Sequence, residues 1–157
     1  MKLNPRFWNL LVIFAMVASG LALPPQSAAA VSTNIVISQV YGGGGNTSAP
    51  FTNDFIELFN LGPVAVDVTG WSVQYASSTG SSWQVTNLIG TIQPGRYYLV
   101  RESGGATGVP LPTPDAIGTI NMSGSNGKVA LVNSIVALSG TCPTGLVDMV
   151  GYGSANC

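Results

Sequence analysis

The chain has 157 residues, 46% of them hydrophobic and only 7% charged, with 20 Gly, 10 Pro and no His. That size fits one domain, and its short β-branched runs, cut by Gly, Pro, Asn and Ser, point to an all-β sandwich rather than a helical fold. The lack of His removes Ser/His/Asp and Cys/His nucleophile arrangements, and scattered cations speak against direct nucleic-acid binding, which draws on clustered Lys and Arg.

Lys2 and Arg6 precede an apolar run over 10–18, and Ala28, Ala29 and Ala30 form a small-residue exit. These are the three parts of a secretory signal. Ser19, Gly20, Pro24 and Pro25 interrupt the run well short of the roughly 18 apolar residues a membrane span needs. Residues 1–30 are therefore expected to be a cleavable signal peptide, cut after Ala30, and 31–157 a secreted mature domain free of the membrane. Without the leader, Arg96, Arg101 and Lys128 stand against six acidic residues, a formal charge of −3.

Residues 34–41 read as the first mature strand, with Ile35, Ile37 and Gln39 opposed to Val36, Ser38 and Val40. Gly42 to Gly45 end it. A phosphate loop must open a helix and usually carries Lys followed by Ser or Thr, whereas Asn46 to Pro50 follow here, so a flexible loop is expected. Residues 53–60 organise the chain, with Asp54, Ile56, Leu58 and Asn60 on one strand face and Phe55, Glu57 and Phe59 on the other. Gly62, able to take positive φ, and Pro63 turn the chain before Val64, Val66 and Val68 resume an extended pattern. After Thr69 and Gly70, the residues Trp71, Val73 and Tyr75 form an apolar face, with Ser72 and Gln74 on a polar one.

Residues 83–92 read as one or two short strands, with Trp83 in the core or at its rim. Gln93-Pro94-Gly95 fits a type II turn that launches a strand over 96–102, whose end carries Arg101 and Glu102 as solvated charges. The Gly- and Pro-rich stretch 103–114 is a surface loop. Residues 116–122 are a candidate short strand, 128–132 a buried strand, 135–138 a candidate hairpin partner for it, and 146–152 the last strand. Cys142 and Cys157 flank that last strand. In an oxidising compartment they are expected to form a disulfide, worth roughly 3 kcal/mol for a loop of this length in the chain-entropy model.

Candidate chemistry is sparse. Asp54 and Glu57 fall on opposite strand faces and cannot converge as an acid and base pair, and Asp54, near a strand start, is expected to be solvated. Lys128 lies on a buried strand without a partner nucleophile. Asp115, Asp148 or Asn53 with loop carbonyls offer oxygen ligands for Ca²⁺, but no EF-hand spacing joins them. Asn46 and Asn121 head short glycosylation sequons. No catalytic, cofactor-binding or metal residues are assigned, and no cofactor is expected. The rings of Phe55, Phe59, Trp71, Tyr75, Trp83, Tyr97 and Tyr98 are open to two readings, a carbohydrate-binding platform or sandwich packing. Exposure separates them: coplanar exposed rings favour sugar, buried rings favour packing.

Five ordered segments, 35–46 (IVISQVYGGGGN), 53–60 (NDFIELFN), 66–75 (VDVTGWSVQY), 92–100 (IQPGRYYLV) and 147–153 (VDMVGYG), together resemble bacterial secreted lamin-tail domains over nearly all of the mature chain. The resemblance implies an immunoglobulin-like β-sandwich. It also implies a non-catalytic module of the kind often attached in front of secreted nucleases or phosphatases of the endonuclease/exonuclease/phosphatase class. In such domains the strand matching 147–153 is usually followed by a further loop and a final short strand. This chain stops at Cys157, so 31–157 is expected to lack that strand and to be a fragment. The expected function is an interaction or targeting module that positions or anchors a partner domain or surface, its partner an unknown protein or a cell-surface polysaccharide. A carbohydrate-binding module and the N-terminal piece of a secreted nuclease or phosphatase remain the alternatives.

Overall fold

The computed structural model describes residues 34–157; the expected signal peptide lies outside them. The strands in chain order are β1 (Ile35–Tyr41), β2 (Asn53–Asn60), β3 (Val66–Asp67), β4 (Ser72–Ala76), β5 (Gln84–Asn87), β6 (Thr91–Ile92), β7 (Tyr97–Gly104), β8 (Ala116–Ile117), β9 (Gly127–Val132) and β10 (Asp148–Tyr152). One four-stranded sheet has the order β1-β2-β7-β8 and a second the order β10-β9-β4-β5, with the short ribbon β3-β6 beside them. Every pairing is antiparallel except β7 with β8. The two large sheets pack face to face, because β-branched and aromatic residues alternate towards a shared interior. Ile35, Ile56 and Leu58 of the first sheet meet Val73, Val129 and Leu131 of the second in one core cluster.

Local chemistry sets the turns. Arg96 N–H donates to Gln93 O at 3.1 Å with Gly95 at φ 65°, as expected of a type II turn. Gly70, at φ 82°, lets Trp71 N–H reach Val68 O at 2.9 Å. Gly62 does not work through positive φ: a Cβ there would stand 2.9 Å from Asn34 Oδ1, a contact that a shift of the exposed Asn34 side chain relieves.

Several sequence expectations are corrected. The alternation of β1 breaks at a bulge, because Ile37 faces Leu58 while Gln39 faces Glu57. The extra residue, Ser38, turns Val40 towards the core and leaves Gln39 exposed. The run Gly42–Gly45 is not a loose loop. A Cβ on Gly44 would lie 2.0 Å from the Asn53 carbonyl carbon and one on Gly45 2.0 Å from Gly105 N, so these glycines let three backbone segments touch. Strand structure over 116–122 is confined to β8, and 135–138 form no hairpin with β9. Instead, 133–142 cross over the outside of the second sheet.

Candidate interaction surface

The outer faces of the two sheets are treated differently by the chain. On the second sheet the side chains expected to be a solvated polar face, Ser72 and Gln74, are 0% exposed. The crossing segment 133–142, called here the strap, covers them. Ser72 Oγ donates to Ser134 O at 2.6 Å, Gln74 Nε2 to Val136 O at 2.9 Å, and Gln74 Oε1 accepts from Leu138 N–H at 2.8 Å. Trp83 Nε1 continues the row with Gly140 O at 3.0 Å. These side chains take up backbone groups of a segment whose own pairing is limited to the single bridge Ser82–Ser139, which is why burial of polar groups is tolerated here. Beneath the strap, Ala76, Trp83, Ala130 and Val132 form a small separate apolar cluster.

Lys128, the one cation inside an apolar strand, is fully covered as well. Its Nζ donates to Gly80 O at 2.9 Å, Thr141 O at 2.6 Å and Asn156 Oδ1 at 2.8 Å, and lies 5.5 Å from the centre of the Trp83 ring. Burial lowers its pKa from the usual lysine value. Cys142 and Cys157 are joined, with their Cα atoms 5.7 Å apart, so the bridge ties the end of the strap to the end of the chain.

The outer face of the first sheet has no such cover. Tyr97 on β7 and Ile117 on β8 are each 62% exposed. Phe59 is directly opposite Tyr97 in the β2–β7 register, with ring centres 4.6 Å apart and planes tilted by 42°. Further along β2, Phe55 is shielded by Tyr41, stacked at 5.3 Å, and by Phe51, edge-on at 5.7 Å. Glu57 and the opposing Leu99 stand between the two ring groups, Glu57 accepting from Ser38 Oγ at 2.7 Å, and Arg101 lies opposite Phe55. Sequence reading did not single out Phe51. Its signal was an aromatic residue placed just before a strand whose outward side begins with Phe55.

The acidic residues hold the fold rather than gather into a site. Asp54, expected to be solvated, is 1% exposed. It accepts from Gly44 N–H at 2.6 Å and Met122 N–H at 2.7 Å, clasping the glycine run to the segment before β9. Burial raises its pKa, while hydrogen bonds from the backbone of Gly44, Met122 and Gly43 pull the other way. Asp54 and Glu57 do point to opposite faces. Asp148 accepts from Ile37 N–H at 2.7 Å and links the two sheets, Asp115 accepts from Leu99 N–H at 2.8 Å, and Asn53 Nδ2 donates to Glu102 O at 3.0 Å. The three candidate calcium ligands thus serve separate backbone contacts, and among the described residues no three Asp, Glu, Cys or His side chains converge.

Glu102 is the second correction among the charges: it is buried between the sheets, not solvated at a strand end. The strand alternation places it inwards with Tyr98 and Val100, beside Thr86, and Gly118 makes room, since a Cβ there would meet Glu102 Oε2 and Thr86 Oγ1 at 2.1 Å each. Glu102 Oε2 accepts from Ile120 N–H at 2.9 Å, while Glu102 Oε1 and Thr86 Oγ1 have no partner in hydrogen-bond geometry. Burial raises the Glu102 pKa; the nearby Thr86 hydroxyl and the Ile120 N–H offset part of this, and Asp54 adds to it. The unfolded chain releases this proton in the ordinary glutamate range, whereas the folded chain keeps it to higher pH. Stability from this group is therefore full below that range and falls as pH rises through the folded value. Glu102→Gln is expected to keep the Ile120 contact, flatten that fall and leave the variant more stable than the parent at alkaline pH, as read from urea unfolding across a pH series. An unchanged pH dependence would show that Glu102 is not its source.

The aromatic set divides. Phe55, Tyr75, Trp83 and Tyr98 are buried, and Trp71 packs partly buried against the core. Only Phe59 and Tyr97 show ring surface together, and they are tilted rather than coplanar. Packing therefore accounts for most of the rings.

An all-β sandwich with one roofed face, one open face and no converging set of titratable groups among the described residues defines an immunoglobulin-like module. The family model that matches it is the lamin tail domain, over residues 28–154. The chain belongs to that family. No curated protein matches it.

Proposed function

We propose that this chain is a secreted, non-catalytic interaction module, and that its contact surface is the open outer face of the sheet β1-β2-β7-β8. The observation that carries this reading is the asymmetry between the faces. The chain spends a strap, a disulfide and a buried lysine on covering one sheet, yet leaves Tyr97 and Ile117 exposed and Phe59 half-buried on the other. An aromatic pair with apolar neighbours, and an Arg further along the same face, is the composition of protein contact surfaces, where rings supply area at low entropic cost. Such a face suits positioning a partner domain or holding it to a surface. Secretion is supported by the disulfide, which persists in oxidising compartments, and by the leader pattern of 1–30. Among the described residues no helix is long and apolar enough to cross a membrane. Binding to cell-envelope fractions by the parent chain and by a Phe59→Ser/Tyr97→Ser variant tests the reading, with nuclease, phosphatase and esterase turnover assayed alongside.

A further inference from the structure

We propose that the strap 133–142 is a redox latch: the Cys142–Cys157 disulfide holds it shut over the second sheet, and reduction of that bond opens it while the sandwich stays folded. The strap is attached chiefly by polar contacts. Ile135 is 55% and Val136 72% exposed, so its apolar side chains point away from the protein, and only Leu138 packs onto the small cluster below. Over 134–138 its backbone is held by side chains, Ser72 and Gln74. Further on, Trp83 and Lys128 hold Gly140 O and Thr141 O, and the single bridge Ser82–Ser139, with Gly140 N–H on Ser81 O at 3.1 Å, is its backbone tie to the sandwich. A groove of about 490 Å³ runs along it, lined by Val132, Ser134, Val136, Leu138, Cys142 and Pro143 among others. A segment so little buried is a candidate for local opening independent of the core.

Lys128 couples the bridge to the strap. Two of its three acceptors, Thr141 O and Asn156 Oδ1, belong to the residues that immediately precede Cys142 and Cys157. Both are pinned by the same covalent bond. Once it is cut, these two oxygens can move apart, and the ammonium stays satisfied by exchanging them for water, which draws solvent under the strap. Opening uncovers the hydroxyl of Ser72, the amide of Gln74 and the indole N–H of Trp83, a row that in the closed state grips extended backbone.

The co-reactant is a dithiol. Its thiolate attacks the exposed Cys142 sulfur, the S–S bond breaks, and the Cys157 sulfur leaves with the electron pair and takes up a proton. The second thiol of the reductant then displaces the Cys142 sulfur, so the protein gains two thiols and the reductant becomes a cyclic disulfide.

Amide hydrogen exchange on the full chain, oxidised and after dithiothreitol treatment verified by thiol titration, tests the latch. Exchange at Leu138, Gly140 and Asn156 should accelerate on the order of tenfold to a hundredfold on reduction, while residues 55–58 of β2 and 99–100 of β7 keep their protection. A Cys142→Ser/Cys157→Ser variant should show the reduced pattern without reductant. Unchanged strap exchange in fully reduced protein, an oxidised pattern in the double variant, or loss of sheet protection in step with the strap would each overturn the proposal.

Discussion

Lys128→Ala is expected to destabilise the protein by about 2–4 kcal/mol, since each buried acceptor left without a donor costs roughly 1–3 kcal/mol and solvent can reach part of the emptied cage. The cage is made by Gly80 O, Thr141 O and Asn156 Oδ1, three oxygens from three separate segments. Each is oriented by the ammonium, so losing the charge removes a common tie as well as three bonds. Only the thin layer of strap and tail lies outside Lys128, so water rather than collapse replaces the side chain, which sets the upper bound. Lys128→Met keeps the aliphatic contact with Trp83 but not the donors, and is expected to fall between the parent and Lys128→Ala. Urea unfolding measures both. Equal stabilities of Lys128→Ala and the parent would mean that the cage is matched by hydration in the unfolded chain.

Asp54→Ala is expected to lower the midpoint of thermal unfolding by roughly 10 °C or more, the equivalent of two buried N–H groups left unpaired in a domain of this size. The donors are Gly44 at 2.6 Å and Met122 at 2.7 Å. Asp54→Asn gives little recovery, because an amide can present only one acceptor and turns N–H towards the second donor. Glycines 42, 44 and 45 are packed against backbone on the strength of this clasp, so loosening it also frees the segment that brings Phe51 to Phe55. Calorimetry on Asp54→Ala and Asp54→Asn checks this; a midpoint within a few degrees of the parent's for Asp54→Ala would remove the clasp from the account.

The strands were legible because the alternation in 53–60 and 71–75, its first part in 34–41 and the apolar run 128–132 are set by local sterics and by which side must leave water. So were the Gln93–Arg96 turn and the disulfide, each determined by residue type and spacing. What escaped sequence reading depends on contacts distant along the chain. Ser72 and Gln74 alternate as a solvated face would, and only residues about 62 positions later cover them. Asp54 and Glu102 sit at ends of strand patterns, where solvent is the usual neighbour, yet partners at Met122 and Ile120 draw them inwards. The bulge at Ser38 carries no local signature in a run of β-formers. Lys128 between Gly127 and Val129 was the one visible warning, a charge inside a strand that had to find acceptors. For the contact surface, the alternation placed Phe55, Glu57 and Phe59 together, but whether that face was open or covered depended on where the strap went.

Equilibrium binding of the parent chain and of Phe59→Ser/Tyr97→Ser to isolated cell-envelope fractions, split into protein-depleted polysaccharide and polysaccharide-depleted protein, tests the central claim most directly. The account predicts saturable binding to the protein fraction, weakened at least about tenfold in the variant, as expected when a contact surface loses its aromatic anchors, with matching unfolding midpoints and no hydrolytic turnover in either. Undiminished binding by the folded variant, binding confined to polysaccharide and lost in Trp71→Ala, or turnover that follows substitution of Glu57 or Asp148 would contradict it.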